Sequence, residues 1–174
     1  MNNFFSLQLL AQIIGAGGMA FLFASYQQTT HKRLIACKLG ADVMWVMHYL
    51  CLSAYAGAIP NFVGIFREVI FMQSDKNWAR SPIFPCLFIL INWTLAILSW
   101  QSTLSLLPIC ASTCVTISLW VKNPKITRMI GAPVSCCFLI YDIFVGSWIG
   151  VINESVAIVS IVSSFIRNDL KKKQ

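Results

Sequence analysis

Charged residues are scarce in this chain. Only 11% of its 174 residues are Asp, Glu, Lys or Arg, whereas a soluble domain carries about 25%. The hydrophobic fraction is 57%, and the mean hydropathy is +0.72. A soluble core of this size could not bury so much apolar surface. The composition therefore excludes an ordinary soluble domain and predicts an all-α integral membrane protein.

The residues that build catalytic and metal sites are also few. The chain has six Asp and Glu residues and two His residues. It contains no HExxH, GxSxG, DxxD or CxxC pattern, and His48 has no second His or Cys at a metal-ligand spacing. The seven cysteines are an odd number, mostly within apolar runs, which argues against a disulfide framework. We therefore expect no enzymatic activity, no catalytic residue, no metal and no cofactor.

The positive charge is clustered rather than spread over one surface. Thirteen Lys and Arg residues give a net charge of +7, and they gather in short groups at the ends of apolar runs. That pattern is typical of anchoring at a membrane surface and does not indicate nucleic-acid binding. The lipid bilayer is thus the expected partner, with a small-molecule solute as a further candidate, and homo-oligomerisation is left open.

The apolar runs predict seven transmembrane helices, because crossing a hydrocarbon core of about 30 Å takes about 20 residues. The predicted spans are 7–26, 34–54, 56–73, 82–99, 103–121, 127–145 and 148–166. Basic residues follow the first, third, fifth and seventh spans and are absent from the other connections. The positive-inside rule then places the N-terminus outside and the C-terminus inside, with 167–174 as a basic cytoplasmic tail.

Two details complete this topology. Lys38 and Arg67 lie within predicted helices, near enough to the inner ends for their side chains to snorkel to the surface. Residues 1–8 carry no positive charge ahead of the first apolar run. We therefore expect the first span to stay in the mature protein rather than to act as a cleaved signal.

A weak internal repeat divides the single membrane domain 1–174. An offset of 93 residues aligns the first three helices with the last three, bringing Gly57 onto Gly150 and Asn61 onto Glu154. This predicts two parallel three-helix repeats, 7–73 and 103–166, joined by a linker helix at 82–99. The arrangement is a 3+1+3 plan.

A diffuse set of features runs along nearly the whole chain: Ala11-Gln12, Gly15, Phe21, the basic turn before helix 2, His48, Tyr55-Ala56-Gly57, Asn61 and Leu107-Pro108. In these features the chain resembles bacterial inner-membrane proteins of the YgjV type. The resemblance implies a location in the bacterial inner membrane, and no biochemical activity is established for that family. The layout is also similar to the SWEET and PQ-loop transporters. That similarity implies a substrate cavity lined by paired positions on the third helix of each repeat, which here are Asn61 and Glu154.

Asn61 and Glu154 are polar groups within predicted membrane helices. Acids in such places are costly and usually face a partner or a cavity. Our hypothesis is that both residues line a shared pocket, with Trp45 and His48 as further substrate contacts. A structural or interfacial role stays open for Glu154, and a hydrogen-bonded structural role stays open for His48.

A second polar group lies on helices 2 and 3. Lys38 and Asp42 are one helical turn apart, and Glu68 continues the stripe of small and polar residues that contains Asn61. A structural pairing of Lys38 with Asp42, or of Asp42 with Arg67, is one interpretation. A coupling role for Lys38, Asp42, Arg67 and Glu68 in ion or substrate movement is the other.

Gly15 and Pro108 occupy aligned places in helices 1 and 5 and are hinge candidates, because Pro108 would remove one backbone hydrogen bond. Asp142, near the outer end of helix 6, is expected to reach water.

Two functions follow from these features. One is a small-solute transporter with a central polar pocket, and the other is a non-transporting membrane component such as a sensor, assembly factor or partner subunit.

Overall fold

The computed structural model describes residues 2–26, 31–73, 76–121 and 124–165, with side chains within 6–25, 33, 35–73, 76–121 and 129–163. Helices account for nearly all of these residues, and no strand occurs among them. The α-helices are α1 (Asn2–Tyr26), α2 (His31–Cys51), α3 (Tyr55–Phe71), α4 (Ile83–Leu98), α5 (Leu106–Val121), α6 (Pro124–Val145) and α7 (Trp148–Phe165). Short 3-10 turns at Asn77–Arg80 and Thr103–Ser105 precede α4 and α5. The seven described α-helices match the seven predicted spans.

The outer surface of the bundle is apolar. Large hydrophobic side chains are exposed along its helices, as at Ile83 (69%) and Leu98 (79%) of α4. Ser6–Ser25 and Thr103–Val121 are long and apolar enough to span a membrane, and Ile83–Leu98, Met129–Val145 and Trp148–Ser163 are shorter apolar helices. So much contiguous apolar surface is rare on a soluble monomer. It is the surface expected of a protein that is surrounded by lipid.

The helices form two halves. In the N-terminal half α1 packs on α2 and α2 on α3, and in the C-terminal half α5 packs on α6 and α6 on α7. α4 lies against α3 and α5, while contacts of α3 with α5 and of α1 with α7 join the halves directly. Polar side chains that point away from lipid are therefore gathered between the two halves.

The α2–α3 and α6–α7 turns have the same geometry. Ser53 and Gly146, 93 positions apart, both have positive φ, 55° and 72°. The amide of Ala54 donates to the carbonyl of Tyr49 (2.8 Å), and at the same offset the amide of Ser147 donates to the carbonyl of Asp142 (2.9 Å). Both turns are thus Schellman caps, in which a left-handed residue ends the helix and satisfies one of its last carbonyls.

Several sequence expectations need correction or fall outside the described residues. α2 ends at Cys51 rather than at residue 54, because Ser53 adopts the left-handed conformation although it is not glycine. Pro108 lies in the first turn of α5, where a proline costs no helical hydrogen bond, so the expected loss of one backbone hydrogen bond does not occur. The prolines inside helices are Pro60 and Pro133. The predicted tail 167–174 lies outside the described residues.

Candidate functional site

A cavity of about 150 Å³ lies between the two halves, and we call it the central cavity. Its polar lining comes from both halves: Lys38, Asp42, Asn61 and Arg67 from one, and Asn153 and Glu154 from the other. Trp45 and Tyr49 supply aromatic surface to the same cavity. Of the four predicted substrate contacts, Asn61, Glu154 and Trp45 line the cavity, and His48 does not.

The charged side chains of α2 and α3 pair differently from the sequence expectation. Lys38 Nζ lies 3.7 Å from Glu68 Oε1, so its ion-pair partner is Glu68 and not Asp42. The carboxylate of Asp42 lies instead against Gly64, and an Nη2 of Arg67 comes within 3.1 Å of the position that a Cβ of Gly64 would occupy. Glycine at position 64 thus makes room for an acid and a base on the same face of α3.

Arg67 does not snorkel to the surface. Its side chain is buried (5% exposed), and Nη1 donates to Thr116 Oγ1 on α5 at 3.2 Å. The place of Arg67 near the inner end of α3 predicted surface exposure. Its side chain instead lies on the side of α3 that faces α5 of the other half. Arg67 therefore belongs to the wall of the central cavity rather than to the membrane surface.

Four buried polar atoms of the cavity wall have no hydrogen-bond partner among the described residues. They are Asp42 Oδ2, Arg67 Nε, Ser112 Oγ and Asn153 Oδ1. Leaving such a group unsatisfied costs about 1–3 kcal/mol, and native proteins avoid this cost by providing a partner or admitting water. The wall of the central cavity thus contains donors and acceptors that are unused among the described residues.

The two amide side chains of the wall each donate one hydrogen bond. Asn61 Nδ2 donates to the carbonyl of Gly57 one turn earlier at 2.8 Å. Asn153 Nδ2 donates to Glu154 Oε1 at 2.9 Å, so Asn153 is satisfied at its nitrogen and not at its oxygen.

At one end of the cavity the two halves are joined by hydrogen bonds. We call the residues involved the polar layer: Ala11, Gln12, His48, Tyr49, Gly57, Tyr141, Asp142, Gly146, Ser147 and Ile149. Since this layer contains both Schellman turns, the α2–α3 and α6–α7 connections lie at the same end of the bundle. Tyr49 belongs both to the polar layer and to the lining of the central cavity.

His48 lies at the middle of the polar layer and is fully buried. Its Nδ1 is 2.7 Å from the carbonyl oxygen of Ala11, and its Nε2 is 2.7 Å from Ser147 Oγ. Because a carbonyl only accepts, a neutral ring donates from Nδ1 and accepts the Ser147 hydroxyl proton at Nε2. His48 thus links α1, α2 and the α6–α7 turn, which is a structural role.

Gln12 makes a second connection of the same kind. Its amide Nε2 donates to the carbonyl of Gly146 (3.1 Å), and its Oε1 accepts from the amide of Ile149 (2.9 Å). One side chain of α1 thereby satisfies two backbone groups at the α6–α7 turn.

Two tyrosines complete the layer. Tyr49 donates from its hydroxyl to Asp142 Oδ1 (2.8 Å), and the hydroxyl of Tyr141 accepts from the amide of Gly57 (3.1 Å). Asp142 is 1% exposed, so the expectation that it reaches water is wrong. Its place near the helix end indicated water, but Tyr49 of the other half and the start of α7 at Gly150 lie against it.

Glycines make the close approach in this layer feasible. A Cβ on Gly57 would lie 2.8 Å from Tyr49 and 2.9 Å from Tyr141. A Cβ on Gly150, at the aligned place in α7, would collide with Asp142 and Ser147. Larger residues at 57 or 150 would separate the rings and carboxylate from the turns that they contact.

Gly15 has a comparable role. A Cβ there would collide with Ile149 and lie 2.8 Å from His48 Nδ1. The helix contact alone accounts for glycine at this position. The hinge role proposed for Gly15 and Pro108 stays a prediction.

Sequence reasoning missed Gln12, Ser112, Tyr141, Ser147 and Asn153 as contributors to these two sites. Tyr141 and Ser147 lay at the same 93-residue offset, opposite His48 and Ala54, and that offset was the available signal. Ser112 and Asn153 gave no signal beyond being polar residues in apolar runs. No group of three His, Cys, Asp or Glu side chains suited to a metal ion occurs in the described part of the chain.

Seven apolar-surfaced helices around a polar interior define the class of this protein, a multi-pass helical membrane protein. The Imp-YgjV family, described as a bacterial inner membrane protein, matches residues 9–172. The chain therefore belongs to that family and resides in the bacterial inner membrane. No curated protein and no solved structure matches it.

Proposed function

We propose that this protein moves a small polar solute across the inner membrane through the central cavity. The observation that carries the proposal is the composition of the cavity wall, to which both halves contribute polar side chains: Asn61 and Arg67 from α3, Asn153 and Glu154 from α7. In small transporters built from two repeats, the substrate site lies between the repeats, near the middle of the bilayer. The cavity binds rather than transforms its solute, and no catalytic residue is assigned.

In this proposal the halves are the predicted repeats 7–73 and 103–166, with 82–99 as the linker of a 3+1+3 plan. The N-terminus is outside and the C-terminus inside, so Arg33, Lys76 and Arg80 lie on the inner side. The two matching Schellman turns and the Tyr49–Asp142 bond, which connects positions 93 apart, support the repeat. The similarity to SWEET and PQ-loop transporters stays a prediction.

The polar layer then closes the outer end of the cavity. Five hydrogen bonds cross between the halves in this layer. At about 0.5–1.5 kcal/mol net for each bond, the layer contributes roughly 3–7 kcal/mol. Shifting a protein from 99% closed to 99% open takes about 5.5 kcal/mol. The contribution of the polar layer is of the same size, so it would keep the outer end closed and still allow opening.

The test is solute flux in vesicles containing only the purified full-length protein. We expect Asn61→Ala and Glu154→Gln to lower the flux of the transported solute at least tenfold while leaving the melting temperature near that of wild type. Phe62→Ala and Ser155→Ala are matched controls, because these neighbours are exposed on the lipid side of the same helices and should keep normal flux.

Absence of flux for every solute in a broad panel, from folded protein, would contradict the proposal. It would favour a non-transporting membrane component, and co-purification of a stoichiometric partner would identify a sensor, an assembly factor or a partner subunit.

A further inference from the structure

The lining of the central cavity carries charges of both signs. Lys38 and Arg67 are basic, and Asp42 and Glu154 are acidic. Because Lys38 is already paired with Glu68, Arg67 and the two acids are the charges left for a ligand. A wall that offers both signs complements a molecule that carries both charges.

Two atoms without hydrogen-bond partners indicate which residue would bind which charged group of the ligand. Asp42 Oδ2 is an acceptor without a donor, and Arg67 Nε is a donor without an acceptor. Arg67 is buried (5% exposed), and one of its remaining nitrogens already donates to Thr116. An ammonium group would satisfy Asp42, and a carboxylate would satisfy Arg67, through charge-assisted hydrogen bonds.

The two groups lie close together but do not satisfy each other. The carboxylate of Asp42 and Nη2 of Arg67 both contact the side of α3 left open by Gly64. Asp42 Oδ2 and Arg67 Nε nevertheless remain without hydrogen-bond partners. The unused acceptor and the unused donor thus belong to two residues whose charged groups both reach Gly64.

The size of the cavity limits the ligand. Its volume is about 150 Å³, and an apolar protein cavity of about this volume accepts benzene, a molecule of six heavy atoms. Alanine also has six heavy atoms. Asn153 Oδ1, a further unused acceptor in the wall, offers an ammonium group a second contact.

We propose that the central cavity binds a small zwitterion, a molecule of about the size of alanine with one ammonium and one carboxylate group. The ammonium is held by Asp42 with Asn153, and the carboxylate by Arg67. This inference rests on the proposed transport function, for which it names the substrate class.

The test measures, by calorimetry, the affinity of purified full-length protein in lipid nanodiscs for three molecules of the same shape. L-Alanine carries both charges, isobutyrate replaces its ammonium with a methyl group, and isopropylamine replaces its carboxylate with a methyl group. Because each charge-assisted contact is worth about 10- to 100-fold in affinity, we expect both analogues to bind at least tenfold more weakly than L-alanine. Glycine, β-alanine and L-serine extend the probe set to neighbouring sizes.

Variants assign each charged group of the ligand to its residue. Asp42→Asn should weaken L-alanine at least tenfold and leave isobutyrate unchanged, whereas Arg67→Gln should weaken L-alanine and leave isopropylamine unchanged. Asn153→Ala is a milder variant in case either change prevents folding, and it should weaken L-alanine about three- to tenfold. Arg33→Gln, at an exposed arginine outside the cavity, should bind L-alanine like wild type.

The outcomes separate the two proposals. Equal affinity for L-alanine and either analogue, or no binding of any zwitterion by folded wild-type protein, overturns the zwitterion assignment, whatever other solute is transported. Preferential binding of L-alanine without flux in vesicles supports the assignment and overturns transport, leaving a binding or sensing protein.

Discussion

Removing the hydroxyl of Tyr49 tests the polar layer most directly. In Tyr49→Phe the ring stays, and only the bond to Asp142 Oδ1 (2.8 Å) is lost. Both residues are buried (3% and 1% exposed), so water cannot replace the hydroxyl without rearrangement. Hydrogen bonds to ionised groups contribute about 1.5–3 kcal/mol, and leaving a buried acceptor unsatisfied costs a similar amount.

We expect Tyr49→Phe to lower the melting temperature of the purified protein by roughly 3–12 °C, taking about 2–4 °C per kcal/mol for a chain of this length. The measurement is thermal unfolding followed by circular dichroism in one detergent at a fixed protein concentration. Tyr55→Phe is the matched control, since Tyr55 is 46% exposed and its hydroxyl has no comparable contact to lose.

A double-mutant cycle isolates the bond itself. Combining Tyr49→Phe with Asp142→Asn should give a coupling energy of about 1–2 kcal/mol, because the two side chains contact each other directly. The reasoning is refuted if Tyr49→Phe melts within 1 °C of wild type, a limit well below the roughly 3 °C expected, or if the two effects simply add.

The remaining predictions concern backbone positions. Gly57→Ala should destabilise the protein by about 1–3 kcal/mol, because its Cβ would lie 2.8 Å from the buried ring of Tyr49. Gly131→Ala, whose Cβ would meet a flexible side-chain end at 3.0 Å, should cost less than about 1 kcal/mol, and equal melting of the two variants would contradict this argument. Ser53→Gly should stabilise by about 0.5–1 kcal/mol by relieving a positive φ, whereas Gly146→Ala should destabilise by about 1 kcal/mol, both measured by the same thermal unfolding. A loss of stability in Ser53→Gly, or a gain in Gly146→Ala, would contradict the argument that the positive φ decides stability at both turns.

The positions of the helices could be predicted from the sequence because apolar runs of the required length are few and clearly bounded. The end of α2 lies three residues before the predicted one, since Ser53 takes a left-handed conformation that usually indicates glycine. At the aligned turn, Gly146 marks the end of α6 in the expected way. The left-handed residue is glycine in one turn and serine in the other, and only the glycine indicated the end of its helix.

The burial of charged residues was harder to predict. Depth along a helix placed Arg67 and Asp142 near a surface, yet both are buried. Depth describes one coordinate of a residue, whereas burial also depends on which neighbour covers that face of the helix. The Lys38–Glu68 pair joins α2 to α3 and was missed in favour of a pairing within one helix.

The contacts of His48 lay beyond sequence reasoning altogether. Its partner Ser147 is 99 residues away, and no local pattern connects the two. The offset of 93 residues did bring Tyr49 opposite Asp142, but an alignment of repeats says only that two positions are equivalent. That these equivalent positions bond to each other follows from their both facing the junction of the two halves.

The polar groups between the halves fall into two sets that differ in how far they bond to each other rather than in residue type. In the polar layer the amide, imidazole and phenol groups bond across the junction, and Asp142 Oδ2 is the one side-chain atom of the described layer without a partner. In the central cavity Asp42 and Arg67 retain unused atoms. Satisfied groups stabilise one arrangement of the halves. Unsatisfied groups favour binding, because a complementary molecule supplies their missing hydrogen-bond partners and so lowers the free energy. Tyr49 has its ring in the cavity wall and its hydroxyl on Asp142, so a ligand beside the ring limits the motion by which that bond would break. Under the transport proposal, occupancy of the cavity and closure of its outer end are therefore coupled through this one side chain.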